Sequence, residues 1–338
     1  MKLATYHTAR RRTRARFGAV VEDRVITFVD AAPDRDAARG LASLDDYLDG
    51  LPETFLRARD IVAAAADTGE AGVAMDTVHL LPVLPRPAAL LDCALSPRHQ
   101  RASTATLLRN ALPFGLGHLA GPVAGALAGR SWRGVGHRTG NHHSIVGDGD
   151  RIDWPEYTAY LDIGPELAVI TGAVPRGGDR SSAAAALAGY VIYNNASARD
   201  VQLPEPLGRG PAVAGDFDAG NGIGPLLVTP DELADPLDVM VTVEITGRPP
   251  WRGRTSEYSH HPIAVLGELA RHRSLPAGTL VGMGAVPGCC GVDRDEWINP
   301  GDEVTITFDG LGTLRQTVGF PATTPRTRWR PRRLRTAP

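Results

Sequence analysis

A chain of 338 residues with 36 Lys plus Arg against 38 Asp plus Glu, a formal net charge of −2 and three cysteines has room for one full core with a smaller unit attached. The near-zero charge excludes a global electrostatic drive towards nucleic acid or an anionic membrane, and neither is expected as a partner. Cys93, Cys289 and Cys290 exclude a disulfide framework, so a reducing cytoplasm is expected, and Lys2, the only lysine, excludes Schiff-base chemistry on an internal lysine.

The N-terminal stretch MKLATYHTARRRTRARFGAVV carries charge where a secretory signal has its apolar core, so no targeting peptide is read there. Residues 1–85 are expected to form a small α+β domain. LATY and RFGAVVEDRVITFVD read as strands, the second a hairpin turning at Glu22-Asp23-Arg24, and Ser43 and Pro52 open two helices that each end at a Gly. The prolines of PVLPRP read as an extended linker. Asp92 then ends a strand, and His99 lies on the helix that follows.

Residues 101–147 hold no acidic side chain but do hold Arg101, Arg109, Arg130, Arg133 and Arg138 with His118, His137, His142 and His143, a run suited to closing over an anionic substrate. Adjacent His142 and His143 point apart on a strand or helix and lack a Cys or carboxylate at ligand spacing, so a surface or lid role is expected of them. Residues 111–128 are interrupted by Pro113 and Pro122 and contain His118, which reads as a buried or lid segment and not a membrane span.

The centre of the chain is LDIGPELAVITGAVPRGGDRSSAAAALAGYVIYNNASARDVQ, residues 161–202. GPELAVITG reads as a buried strand, SSAAAALAGY as a Ser-capped, Gly-stopped helix, and VIYNN as a second strand. Gly164-Pro165-Glu166 and Asn194-Asn195-Ala196-Ser197-Ala198-Arg199-Asp200-Val201-Gln202 resemble the fumarylacetoacetate hydrolase family, whose members carry Glu-x-Glu and Asn-Asp-x-Ser-Ala-Arg-Asp-x-Gln at these places. The resemblance extends from about residue 75 to 320. It takes in Gly210-Pro211, Phe217, Gly224-Pro225 and Val228-Thr229-Pro230-Asp231-Glu232-Leu233. It departs at Val213 and Gly215, where the family has lysines, and at Met283 and Ala285, which replace the Ser and Thr of a Gly-rich turn.

The remaining chain reads as strands with one helix, HHPIAVLGELARHRS, and Cys289 and Cys290 are expected to be buried packing residues and not nucleophiles. The basic tail with Arg326, Arg328, Arg330, Arg332, Arg333 and Arg335 is expected to be disordered, over residues 321–338.

The resemblance implies an α+β, mainly β fold: a mixed β-roll or barrel catalytic domain over residues 86–320 behind the small N-terminal domain, commonly in a homodimer. It also implies enolate chemistry on a small oxo or dioxo compound, with His99 as acid/base and Asp92 and Glu166 as its carboxylates. Asn195, Arg199 and Gln202 would line the substrate. The family's four-carboxylate metal set becomes Asp92, Gly164, Glu166 and Asn195, two charges where there were four, so no resident metal is expected and Mg²⁺ would bind weakly at best. Without that ion Asp92 and Glu166 would repel, and one could keep its proton and act as a general acid. The expected activity is metal-free isomerisation, dehydration, ring closure or C–C hydrolysis in specialised metabolism, with a non-catalytic binding or scaffold protein as the alternative. Restoring Gly164→Glu with Asn195→Asp is expected to bring metal binding back.

Overall fold

The computed structural model describes residues 1–8, 11–68, 72–112, 116–119, 121–123, 135–203 and 213–329. Its strands form a 13-stranded sheet, a five-stranded sheet and a two-stranded ribbon, and among the described residues no sheet closes into a barrel. The mainly-β, mixed architecture is as the sequence implies, with the barrel option set aside.

The central strands of the large sheet are Pro165–Thr171 and Leu187–Asn195, antiparallel partners whose every residue is buried. Burial on both faces suits their continuous apolar, β-branched sequence. Alternation sorts the side chains. Leu167 and Val169 join a core shared with the five-stranded sheet, whereas Ala168 and Ile170 join a second core with Leu3, Phe17, Tyr47 and Ile61. Tyr47 and Ile61 come from the helices Leu44–Asp49 and Glu53–Thr68, the first capped by Ser43 as its sequence suggests.

The strand Lys2–Thr8 pairs with Leu226–Val228, so the strands of residues 1–85 and those of the later chain share one sheet across the boundary expected at residue 85. At the C-terminus, residues 321–329 have no regular structure, yet Trp329 is buried against Tyr160 and Trp297 at ring separations of 5.4 and 5.3 Å. Residues 330–338, which carry most of the tail arginines, lie outside the described residues. So do Arg130, Arg133, Gly210 and Pro211, while His137, His142 and His143 are exposed or half-buried, as a surface or lid segment requires. No helix among the described residues is long and apolar enough to cross a membrane.

Four adjacent strands position the candidate site. In sheet order they are Pro165–Thr171, Thr279–Ala285, Ala89–Cys93 and His137–Thr139. Asp92 is the direct partner of Gly282 on one side and of Arg138 on the other, and Glu166 is the partner of Ala285. Register alone therefore brings two carboxylates and a guanidinium from residues 92, 138 and 166 into one patch.

Candidate active site

Gly282 clears the space between the two carboxylates. A Cβ there would stand 2.5 Å from Glu166 Oε2, so only glycine lets the Glu166 side chain lie over this strand towards Asp92. Glu166 Oε2 accepts from the Gly284 amide at 2.8 Å and its Oε1 from Asn195 Nδ2 at 3.1 Å. The same Asn195 nitrogen donates to Asp92 Oδ2 at 2.9 Å, and Arg138 Nε donates to that oxygen at 2.7 Å. Because a carboxylate only accepts, this amide must present its nitrogen to the pair. Burial, and then the charge of Asp92, push the Glu166 carboxyl well above its ordinary range, against the pull of Asn195, Gly284 and Arg138.

His99 enters from the helix Pro97–Ala111, whose first turn is set by Pro97 and by Ser96, which accepts the His99 amide at 3.2 Å. Its Nδ1 lies 2.8 Å from Asp293 Oδ1 without hydrogen-bond alignment, a looseness catalytic pairs commonly show before substrate binds. Asp293 belongs to the short helix Gly291–Arg294, and its Oδ2 accepts the Gly288 amide at 2.8 Å. Asp295 clamps the two helices together, accepting from Arg109 at 3.0 Å and Asn110 at 3.2 Å.

Arg199 and Gln202 follow the second motif strand. Arg199 is buried, with Nε on Asp162 at 3.0 Å and Nη1 on Gln202 Oε1 at 3.0 Å. Asp162 also accepts the amides of Gly291 and Val292, so this ion pair fastens the Asp293 helix to the sheet. Burial raises the Asp162 carboxyl even against Arg199 and those amides. With two of its groups committed in this way, Arg199 acts more on the shape of the site than sequence reasoning gave it credit for.

Asp92, His99, Glu166, Asn195, Arg199 and Gln202 all line one open cavity of about 580 Å³, together with Arg138, Gly164, Ala285 and Ser103. Every residue singled out for the site from sequence is thus brought together. Two were missed. Arg138 stood only among the basic residues of the segment before the core motifs, and Asp293, the partner of His99, was given no role from the sequence. Alternation of HRT and the DRD after the CCG turn were the available signals.

Two expectations are overturned. The helix between the two motif strands is Arg180–Ala186, capped by Asp179 and not by a Ser, and Leu187 already begins the second strand, Leu187–Asn195, so Gly189 does not end the helix. A Cβ at Gly164 would collide with the Asn195 carbonyl oxygen, because the two backbones are hydrogen-bonded there, Asn195 N donating to Gly164 O at 2.9 Å. Gly164→Glu therefore cannot restore a ligand without moving the strand. Cys289 and Cys290 are fully buried, and burial pushes the Cys289 thiol up to about 12 and that of Cys290 well above its ordinary value, so both are packing residues and not thiolate nucleophiles. His99, Cys290 and Asp293 nonetheless offer ligand atoms that all lie within 4.8 Å of one another.

Residues 138–319 match the family model described as Fumarylacetoacetate (FAA) hydrolase C-terminal. The chain belongs to the fumarylacetoacetate hydrolase family. Within it, a Burkholderia ambifaria protein named as a hydrolase is 31% identical over 181 residues, 51% of this chain and 61% of the relative, so the chain spans less than two thirds of that relative's length. Two solved structures share the fold. Maleylpyruvate hydrolase from Sphingobium sp. SYK-6, in complex with manganese(II) and pyruvate, aligns at TM-score 0.66 and 17% identity over 94% of this chain and 99% of its own. The 5-carboxymethyl-2-hydroxymuconate delta-isomerase from Mycobacterium smegmatis aligns at 0.62 and 19% over the same shares.

Proposed function

We propose that this protein is an enzyme that moves protons on a small enolisable oxo acid without a resident divalent ion. The observation that carries this reading is the pairing, in one open cavity, of two adjoining carboxyl groups, Asp92 and Glu166, with a His–Asp pair, burial and the neighbouring Asp92 raising the Glu166 carboxyl above its ordinary range. His99, its Nδ1 turned to Asp293, has Nε2 left to take a proton from carbon, leaving an enolate whose oxygen the polar groups of the same cavity would hold. Asp293 is a positioning residue in this scheme. Return of that proton by His99 to a different carbon completes an isomerisation with no net change in protons.

The residues present do not fit the dication that the family resemblance implies. Mg²⁺ or Mn²⁺ asks for a shell of oxygen donors that offset its charge. Here Asp92 Oδ2 and both Glu166 oxygens already face N–H donors, Asn195 presents nitrogen, and Gly164 has no side chain. His99, Cys290 and Asp293 offer a second set of donor atoms within 4.8 Å of one another, but the proposed proton transfers need no ion there. The three free, buried cysteines suit a cytoplasmic setting, and a homodimer rests on the family resemblance.

Maleylpyruvate and 5-carboxymethyl-2-hydroxymuconate, the compounds named for two structural relatives, are the first substrates to try, followed by absorbance in excess EDTA. Turnover that survives EDTA and falls about 100-fold or more in His99→Ala supports the reading. Equal rates in parent and His99→Ala would sink the acid/base assignment. An intact fold that turns over no oxo acid would leave the non-catalytic binding protein as the better account.

A further inference from the structure

We infer that Arg138 is the resident cation of this site, standing where relatives would hold a metal and binding the carboxylate or enolate oxygens of the substrate directly. The inference rests on reading the cavity as one that handles an enolate. Three independent features support it.

The first is register. Arg138 is the cross-strand partner of Asp92, and its Nε donates to Asp92 Oδ2 at 2.7 Å, so its positive charge is fixed beside the two carboxylates by the sheet and not by a flexible loop. The second is room. A Cβ on Gly215 would lie 2.9 and 3.0 Å from the two Nη atoms of Arg138, so the guanidinium fills the space that any side chain at this position would enter. Gly215 is also where the resemblance puts an absent lysine. One cation has been removed from the site and another, from a strand 77 residues earlier, occupies its approach.

The third feature is what the guanidinium leaves free. Its only hydrogen bond among the described residues uses Nε, and the side chain is 41% exposed and lines the cavity. Nη1 and Nη2 can therefore donate as a pair to a planar oxyanion, the geometry in which arginine outperforms lysine. By contrast Arg199, the other arginine of the cavity, is 5% exposed at its side chain and committed to Asp162. The ligand chemistry that fits is a small α-oxo carboxylate in its enolate form, a planar dianion.

Oxalate is a stable planar dianion of that shape and serves as the probe. In EDTA, the parent protein is expected to bind oxalate by calorimetry, Arg138→Met to bind it about tenfold or more weakly, and Arg138→Lys to fall between them. Circular dichroism of each variant confirms that it is folded, and Arg138→Lys keeps the test available if Arg138→Met is not. Arg254→Met, at an exposed arginine outside the cavity, is expected to bind oxalate as the parent does, which separates the effect of Arg138 from a general loss of positive charge. Oxalate binding that depends on Arg138 would stand even if no oxo acid were turned over. Equal binding by Arg138→Met, binding only after Mn²⁺ is added, or no binding by the parent would each overturn the inference.

Discussion

Asn195→Asp is the most informative single change, because one nitrogen now joins both carboxylates. Its Nδ2 donates to Asp92 at 2.9 Å and to Glu166 at 3.1 Å, and the residue is 6% exposed. An aspartate removes both donations and sets a third acid against the pair. Hydrogen bonds to charged groups are worth about 1.5–3 kcal/mol each, and a buried charge stripped of its partner costs about 3–5 kcal/mol, so a loss of about 3–5 kcal/mol is expected at neutral pH. Urea unfolding of parent and variant measures it. The double variant Asn195→Asp, Arg138→Met has three carboxylates and no guanidinium, and Mn²⁺ is expected to stabilise it by about 3 kcal/mol once present at roughly 100 times its dissociation constant. The parent is expected to gain nothing from Mn²⁺ in the same experiment. An Asn195→Asp protein as stable as the parent, or a parent stabilised by Mn²⁺ as much as the double variant, would refute the reasoning.

Glu166 predicts a pH dependence. Its carboxyl titrates above its ordinary value of 4.5 in the folded state, so from there up to the folded value the native protein binds more protons than the unfolded chain. Stability must fall as pH rises through that window, and Glu166→Gln must flatten the slope; melting curves of both against pH that run parallel would contradict it. Gly164→Ala, the smallest step towards a side chain there, is expected to cost about 1–3 kcal/mol in urea unfolding through its collision with the Asn195 carbonyl oxygen. A cost near zero would mean that this strand can shift and that a ligand at 164 is restorable.

The motif residues were legible because they are local. Glu166 lies on an unbroken apolar strand, and Asn195, Arg199 and Gln202 follow directly on its partner, so one hairpin with its helix carries four of the six expected residues. Ser96-Pro97 announces the helix that turns His99 into the cavity. What stayed hidden depends on register between distant segments. Arg138 gains its meaning only from pairing with Asp92, 46 residues earlier, and its neighbours in sequence are other basic residues. Asp293 reaches His99 across 194 residues from a four-residue helix that reads in sequence as part of a Gly-rich turn. The collision at Gly164 was equally out of reach, since it arises from a backbone hydrogen bond between two motifs that the sequence presents as separate. The shared sheet had the same cause: the pairing of Lys2–Thr8 with residues 226–228 joins segments far apart in sequence.

The central claim is that a guanidinium and an amide, and no dication, neutralise Asp92 and Glu166. Crystals of the parent protein grown in several millimolar MnCl₂, with diffraction recorded at the manganese absorption edge, test it most directly. The account predicts no anomalous density between Asp92 and Glu166, with Arg138 Nε and Asn195 Nδ2 still on Asp92. A manganese peak bonded to Asp92 and Glu166, with Arg138 turned out of the cavity, would contradict it.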